Sequence, residues 1–197
     1  MEGGVFLVVA GKVELEPGTQ LFPLPVVVVC VGDTEKPNLV TLAWVGTLCS
    51  RPPMVGISLR PDRHSYRILA DRGEFTVNIP RAEQVHLLDF CGTRSGRDVD
   101  KFAALGLTPV VGSRVTVPLV AEFPVNLECR VEQRVPLGSH ELFVGRVLSV
   151  HADPDVLAEG DIDPARVAPP VYAIEKYYAF GGQVGEYGFT RRPRLTP

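Results

Sequence analysis

The apolar residues of the chain fall mostly into short runs whose spacing is typical of β-strands. Residues 26–31 form a Val-rich block bounded by Pro25 and Gly32, and residues 126–132 alternate polar with apolar side chains. Such alternation predicts a strand with one buried and one solvated face. The predicted strands are residues 5–9, 12–15, 26–31, 39–48, 54–59, 75–79, 125–135 and 142–151. The last two are joined by the turn Pro136-Leu137-Gly138-Ser139, which predicts an antiparallel hairpin.

Helical patterns are fewer and shorter. Apolar spacing predicts helices over residues 62–70, 81–90 and 98–105, and residues 118–124 are a connection. Residues 153–170 are acidic and Pro-rich, which predicts a surface loop with room for one turn of helix. Many short strands separated by turns favour a closed β-barrel over a parallel α/β sheet. We therefore expect one mainly β domain over residues 1–197.

Composition narrows the class of protein. The 197 residues carry 20 Lys plus Arg and 23 Asp plus Glu, for a net charge of -3. Such a balance argues against nucleic-acid binding, which needs a clustered basic surface. The longest purely apolar run, residues 26–31, is far short of the roughly 20 residues that span a membrane. The N-terminus begins Met1-Glu2-Gly3-Gly4 without a basic region, so we expect no signal peptide, no membrane association and a cytoplasmic protein.

Standard catalytic motifs are absent. The sequence contains no HExxH, GxSxG, Walker A, EF-hand or GxGxxG pattern. Its four cysteines are too far apart for a CxxC motif, and we expect buried, reduced thiols. The four histidines show no metal-ligand spacing, so no metal site is predicted.

Two segments stand out as candidates for ligand binding. Residues 38–53 hold the only Trp, Trp44, together with small hydroxyl residues, a pattern that suits a flat heteroaromatic ring with a polar edge. The alternative is that Thr41 and Thr47 are ordinary strand threonines and that Trp44 belongs to the core. Residues 58–66 place Arg60, Arg63, His64 and Ser65 where a strand ends and a helix begins, a favourable position for an anion. Asp62 acting as the N-cap, with both arginines solvated, is the simpler alternative.

Together these segments resemble the flavin reductase-like family of FMN-binding split barrels, and its flavoredoxin branch in particular. The resemblance lies in residues 38–60, in His64-Ser65-Tyr66, and in residues 73–80, 91–102 and 140–147, and it spans about residues 20–190. It implies a six-stranded antiparallel split β-barrel with short flanking helices, and a homodimer with FMN near the interface. The segment 177–182 departs from the family's Arg-Leu-Gly pattern, so Tyr172, Tyr177 and Tyr178 fit interface aromatics equally well.

The resemblance also implies which residues contact the cofactor. Residues 41–44 and the Cys49-Ser50 region would line the flavin ring, and Arg60, His64 and Ser65 would meet the phosphate. The complete predicted set is Thr41, Leu42, Ala43, Trp44, Thr47, Cys49, Ser50, Ser58, Arg60, His64, Ser65, Tyr66 and Lys101. His140, at the start of a hairpin strand, is implied to lie near the flavin or nicotinamide as a catalytic residue.

The function implied is an NAD(P)H-dependent FMN oxidoreductase. NAD(P)H would be a transient co-substrate, because no Rossmann motif is present to retain it. Electrons would pass through the flavin to a small-molecule or redox-protein acceptor. Two alternatives stay open: a flavoredoxin-type electron carrier with little NAD(P)H activity, and a binding module for a tetrapyrrole or deazaflavin.

Overall fold

The fold is a curled, antiparallel seven-stranded sheet accompanied by short helices. The structure is a computed structural model and describes residues 8–191. The seven strands, in chain order, are β1 Val27–Val31, β2 Asn38–Leu42, β3 Val45–Ser50, β4 Pro53–Leu59, β5 Glu74–Ile79, β6 Val125–Pro136 and β7 Glu141–Ala152. The helices are α1 His64–Arg72, α2 Val85–Thr93, α3 Lys101–Leu105 and α4 Pro164–Val167, with 3-10 turns at Ala82–Gln84, Pro154–Val156 and Phe189–Arg191.

Short strands complete the chain outside the main sheet. Val8–Val9 pairs with Lys12–Val13, Pro109–Val110 with Leu119–Val120, and Leu157–Ala158 with Asp161–Ile162. Leu24–Pro25, Pro170–Ala173 and Lys176–Ala179 form a three-stranded sheet. The predicted 153–170 loop thus contains a small hairpin and one short helix. The beginning of the predicted strand over residues 5–9 lies outside the described residues.

Sheet order explains why the sheet curls into a split barrel. The strands are arranged β2-β1-β5-β6-β7-β4-β3, so the two edge strands, β2 and β3, are consecutive in the chain. Only Ala43 and Trp44 separate them, which limits the ends to about 11 Å. Seven strands laid flat would place those edges roughly 29 Å apart. The sheet must therefore bend until its edges meet at Ala43 and Trp44, a place we call the seam.

The seam also accounts for the difference between the expected and observed strand number. A single strand was predicted over residues 39–48, whereas the structure has β2 and β3 on opposite edges of the sheet. The apolar character of the segment continues through the bend, so its pattern does not mark the break. The mainly β, antiparallel split-barrel prediction is confirmed, with seven strands in place of the implied six.

The core lies on both faces of β1. Val28 and Cys30 pack on the outer face with Leu88 and Phe102, from the helices α2 and α3. Val27, Val29 and Val31 pack inside the barrel, in a cluster with Ile57, Phe75 and Phe143. A strand buried on both faces is expected to be continuously apolar. All four cysteines are free thiols, and burial raises the pKa of Cys91 to about 11.

One carboxylate is fully buried in the outer layer. Glu128, on β6, accepts hydrogen bonds from the backbone N–H groups of Ser113, Arg114 and Val115, at 2.7–2.9 Å. It also lies 2.6 Å from His151 Nε2 on the neighbouring strand. Burial alone would raise the pKa of Glu128, but these hydrogen bonds outweigh it and lower the pKa to about 2. The charged carboxylate therefore anchors the 113–115 loop to the sheet.

Candidate functional site

A cavity of about 500 Å³ opens at the seam, and we call it the seam cavity. Its lining comes from the end of β2, the end of β4, the end of α2 and the hairpin of Pro170–Ala173 with Lys176–Ala179. The lining residues are Val26, Val40, Thr41, Leu42, Ala43, Trp44, Ser58, Leu59, Arg60, Arg63, Gly92, Thr93, His140, Tyr172, Glu175 and Tyr177. Its volume falls within the roughly 300–1,000 Å³ range of small-molecule sites.

Two hydrogen bonds tie the seam to the elements beside this cavity. The Ser58 backbone N–H donates to the Trp44 carbonyl at 2.9 Å and ties the bend to β4. The Thr41 hydroxyl donates to the Leu88 carbonyl at 2.6 Å and ties β2 to α2. Because the hydroxyl proton is used in this way, the Thr41 side chain can only accept a hydrogen bond from a ligand. The bend leaves the backbone of residues 42–44 beside the cavity.

An aromatic pair forms one wall of the seam cavity. The His140 imidazole stacks on the Trp44 indole, with ring centroids 5.8 Å apart and planes inclined by 27°. His140 Nδ1 lies 2.9 Å from the Ser139 hydroxyl. Nε2 has no partner among the described residues, so it is free to contact a ligand.

A second, smaller cavity of about 160 Å³ lies at the N-terminus of α1, and we call it the helix-end cavity. It shares Val40, Arg63 and Gly92 with the seam cavity. The remaining lining residues are Asp62, His64, Ser65, Cys91, Arg94, Ser95, Gly96, Arg97 and Lys101. The two cavities therefore adjoin, one largely apolar and the other lined with cations.

The start of α1 presents unused hydrogen-bond donors to the helix-end cavity. The first backbone N–H groups of a helix lack intrahelical acceptors, here those of His64 and Ser65. Arg63 is the N-cap, and neither it nor any acidic residue caps the first turn with its side chain. Asp62 precedes the N-cap and is therefore not the N-cap itself, and its carboxylate pairs with Arg60 at 3.1 Å. The uncapped positive end of the helix dipole favours an anion.

A hydrogen bond from Asn38 fixes the Ser65 side chain. Its buried hydroxyl oxygen accepts a 2.7 Å hydrogen bond from the Asn38 amide, which leaves the hydroxyl proton available as a donor. The 94–97 loop closes over this pair, and any side chain at Gly96 would clash with Asn38. Close packing thus explains glycine here, and it holds the loop beside Ser65.

Positive charge dominates the helix-end cavity. Buried Lys101 donates to the carbonyls of Leu39 and Cys91 at 2.6 and 2.7 Å, and desolvation lowers its pKa. Partial burial, followed by the nearby charges of Arg97 and Lys101, lowers the pKa of His64. The imidazole is therefore mainly neutral at pH 7, and the arginines and Lys101 carry the positive charge.

The two cavities bring together most of the residues predicted from sequence. Thr41, Leu42, Ala43, Trp44, Ser58, Arg60 and His140 line the seam cavity, and His64, Ser65 and Lys101 line the helix-end cavity. The resemblance implies that Arg60 meets the phosphate, but of these two cavities Arg60 lines only the seam cavity. Arg63 bridges the two cavities instead, and makes no ion pair among the described residues.

Four predicted residues lie outside both cavities. Thr47, Cys49 and Ser50 lie on β3, which pairs with β4 and runs away from the seam after the bend. Tyr66 lies about 200° around α1 from His64, on the face toward the barrel. Its hydroxyl donates to Glu141, and its ring packs edge-on against Phe143.

Other lining residues were not singled out by the sequence. Gly92 and Thr93 end α2, and Tyr172, Glu175 and Tyr177 belong to a hairpin far along the chain. Ile174 and Glu175 both adopt left-handed backbone, with φ of 47° and 60°, which is unusual for side chains of this kind. A sequence pattern contains no signal for this turn, because neither residue is Gly, Asn or Asp.

The curled sheet defines a split-barrel protein with a cavity at its seam. A family model for the flavin reductase like domain matches residues 19–181. The chain therefore belongs to the flavin reductase-like family of flavoproteins.

Individual relatives agree with this assignment. The flavoredoxin of Desulfovibrio vulgaris (Miyazaki F) superposes with a TM-score of 0.83 at 36% identity, covering 89% of this chain and 96% of that one. The flavoredoxin from Methanosarcina acetivorans also gives 0.83, at 27% identity over 91% and 97% of the two chains. The NADH-dependent FMN reductase AsuE2 of Streptomyces nodosus subsp. asukaensis is 33% identical over 72% of this chain and 75% of its own length.

Within residues 8–191, no helix is long and apolar enough to cross a membrane. The same part of the chain contains no group of three or more His, Cys, Asp or Glu side chains arranged to hold a metal ion.

Proposed function

We propose that this protein binds FMN across the seam and helix-end cavities and transfers electrons from NAD(P)H to an acceptor. The observation that carries the proposal is the adjacency of the two cavities through Val40, Arg63 and Gly92. FMN likewise has two parts, because a short polar chain joins its flat ring system to a phosphate. The similarity to an NADH-dependent FMN reductase and to flavoredoxins supports the same conclusion.

The residues present fit each end of this cofactor. The phosphate would accept hydrogen bonds from the Ser65 hydroxyl, from the first N–H groups of α1, and from the Arg63 and Arg97 guanidinium groups. The ring would lie against Val40 and the backbone of residues 42–44, where N–H groups suit its polar edge. Lys101 supplies a buried charge near the phosphate while anchoring β2 to α2.

Bound flavin would supply the redox chemistry, taking a hydride from the nicotinamide and releasing electrons to the acceptor. The chain's own residues orient the partners and exclude water. His140 lies where it can hydrogen-bond an incoming nicotinamide through Nε2, while the Trp44 indole and the Ser139 hydroxyl hold its ring in place. His140 is our candidate catalytic residue for this step.

The second candidate function is a flavoredoxin-type electron carrier. The 36% identity and near-complete coverage of a flavoredoxin favour it. Such a protein would bind FMN in the same cavities but react slowly with NAD(P)H and exchange electrons with a redox protein.

We further propose a homodimer with the flavin near its interface. A cavity of about 240 Å³ adjoins the seam cavity and shares Trp44, Tyr172 and Glu175 with it. Large apolar side chains at its edge are exposed, with Leu21 79% and Ile174 64% accessible. Exposed apolar patches beside a ligand site are typical of protein interfaces.

Anaerobic mixing of the FMN-loaded protein with NADH or NADPH separates the two candidate functions. Rapid bleaching of the flavin by either nucleotide supports the oxidoreductase. Stable FMN binding with negligible reduction supports the electron carrier, and a protein that binds no FMN contradicts both.

A further inference from the structure

A cluster of three polar side chains lies at the start of β7, and the proposed function leaves it without a role. The carboxylate of Glu141 accepts hydrogen bonds from the Tyr66 hydroxyl and from Arg134 Nε, the latter at 2.5 Å. The Arg134 guanidinium also donates to the Tyr66 hydroxyl oxygen at 3.0 Å, so each group contacts the other two. We call these three residues the hairpin cluster. None of the three lines the seam cavity or the helix-end cavity.

Aromatic packing holds the hairpin cluster in one geometry. The Tyr66 ring meets the buried Phe143 ring edge-on, with centroids 5.6 Å apart. The Arg134 guanidinium lies 5.2 Å from the centroid of the Phe143 ring and 5.8 Å from that of the Tyr66 ring. Only 13% of the Glu141 side chain is exposed. A network of this kind restrains its members more than an isolated surface ion pair does.

The hairpin cluster joins the chain segments that carry the two ends of the proposed flavin site. Tyr66 follows Ser65 on α1, and Glu141 follows His140 at the start of β7. Arg134 belongs to β6, the other strand of the hairpin. The contact between Tyr66 and Glu141 therefore ties the helix at the phosphate end to the turn that carries His140.

His140 has few contacts of its own. It lies in the turn just before Glu141, which is the first residue of β7 to pair with a neighbouring strand. Within the turn the Leu137 N–H donates to the His140 carbonyl at 2.8 Å, and the imidazole contacts only Trp44 and Ser139. Consecutive side chains of an extended chain point to opposite sides. Glu141 thus anchors the chain on the barrel side, while His140 reaches the seam cavity from the other side.

We propose that Glu141 is a positioning residue, which keeps the His140 imidazole stacked on Trp44. The other two members of the hairpin cluster hold its carboxylate in place, and their hydrogen bonds, that of Arg134 first, lower the pKa of Glu141 and keep it charged at neutral pH. The inference rests on the proposed function, because it takes His140 as the group that orients the nicotinamide. Glu141 itself would touch neither flavin nor nicotinamide.

Fluorescence of Trp44 tests the inference without any flavin, because Trp44 is the only tryptophan of the chain. Acrylamide quenching of the flavin-free protein measures how far the imidazole covers the indole, and His140→Ala gives the value for an uncovered indole. We expect Glu141→Ala and Tyr66→Phe to move the quenching from the wild-type value toward that of His140→Ala. Glu141→Gln keeps an oxygen that can accept from Tyr66, so it should stay near the wild type.

Flavin reduction supplies the second readout. Glu141→Ala should slow the reduction of bound FMN by NAD(P)H by between about threefold and the roughly tenfold expected for His140→Ala, because a misplaced group loses rate. FMN affinity should stay within about twofold of the wild type, which also reports that the variant folds. In the His140→Ala background, Glu141→Ala should slow reduction no further, since a positioning residue acts only through its target.

Glu132→Ala is the matched control for both readouts. It breaks the ion pair between Glu132 and Arg146, which lies farther along the same two strands. This variant should change neither the quenching of Trp44 nor the rate of flavin reduction.

Three results would overturn the inference. Wild-type quenching of Trp44 in both Glu141→Ala and Tyr66→Phe would mean that His140 is held without the hairpin cluster. A further loss of rate when Glu141→Ala is added to His140→Ala would mean that Glu141 acts independently of His140. Wild-type quenching in Glu141→Gln, with reduction as slow as in Glu141→Ala, would give the carboxylate charge a direct role.

Failure of the proposed function has a different signature. A wild-type protein that binds FMN but is reduced by neither nucleotide contradicts the proposed oxidoreductase. The quenching of Trp44 in the flavin-free variants still decides, in that case, whether Glu141 holds His140 in place.

Discussion

His140 stacks on Trp44 across the seam, with ring centroids 5.8 Å apart. The contact joins the turn before β7 to the bend between β2 and β3, and so fixes one wall of the seam cavity. His140 is half-buried, with Nδ1 beside the Ser139 hydroxyl and Nε2 without a partner among the described residues. A histidine held in this way has one ring nitrogen available for a ligand.

His140→Ala should slow flavin reduction by NAD(P)H roughly tenfold, equivalent to about 1.4 kcal/mol in the barrier. FMN affinity should change much less, because the phosphate end is untouched. Stopped-flow reduction measured from pH 5.5 to 8 checks this prediction. His86→Ala, an exposed change on α2, is the control. Wild-type reduction rates for His140→Ala across that range would leave His140 without a catalytic role.

The phosphate end can be tested by comparing FMN with riboflavin, which lacks the phosphate. Ser65→Ala and Arg63→Ala should each weaken FMN by about 1.5–3 kcal/mol, because each removes a hydrogen bond to a charged group. Riboflavin affinity should hardly change. Arg60→Ala should have a smaller effect on FMN, since its guanidinium is paired with Asp62 and lies on the seam cavity alone. Equal losses for FMN and riboflavin would mean that the phosphate binds elsewhere.

Leu21→Glu should convert the proposed homodimer to a monomer and release the flavin. Leu21 is exposed beside the seam cavity, so a charge there would disrupt an interface without disturbing the core. Light scattering with simultaneous flavin absorbance measures both effects. Val111→Glu, an equally exposed apolar change, is the control and should remain dimeric. A wild-type monomer that retains FMN would refute the prediction.

Glu128 should make the fold sensitive to acid. Its pKa is lowered from 4.5 to about 2 in the folded protein, so its contribution to stability is complete above pH 4.5. That contribution is lost as the pH falls from about 4.5 toward 2. Glu128→Gln should lower the free energy of unfolding at pH 7 by about 3 kcal/mol and flatten its pH dependence in that interval. Urea unfolding of this variant and of the exposed control Glu83→Gln measures the difference, and identical pH profiles for Glu128→Gln and wild type would contradict it.

The elements of the sheet could be predicted from sequence because most of them depend on local pattern. The Val-rich run of β1 and the alternation in β6 both identify strands directly. The break between β2 and β3 could not be predicted in the same way, since apolar residues continue through Ala43 and Trp44. The break is visible only in the sheet order, in which β2 pairs with β1 at one edge and β3 pairs with β4 at the other.

The residues that line the two cavities were predictable where they cluster in sequence. His64 and Ser65 come together at one helix end, and Thr41 to Trp44 form one bend. Tyr66 was predicted with them, but a residue two positions farther along a helix faces a different direction. Tyr172 and Glu175 could not be found locally, because tertiary packing alone brings their hairpin to the seam.

The absorbance spectrum of freshly purified protein, followed by titration with FMN, tests the central claim most directly. FMN has about 31 non-hydrogen atoms, and about 0.3 kcal/mol per atom predicts binding near -9 kcal/mol, hence a submicromolar Kd. We expect a yellow protein with flavin bands, and saturation at one FMN per chain after the flavin is removed. A colourless protein that shows no flavin bands after FMN is added would contradict the account.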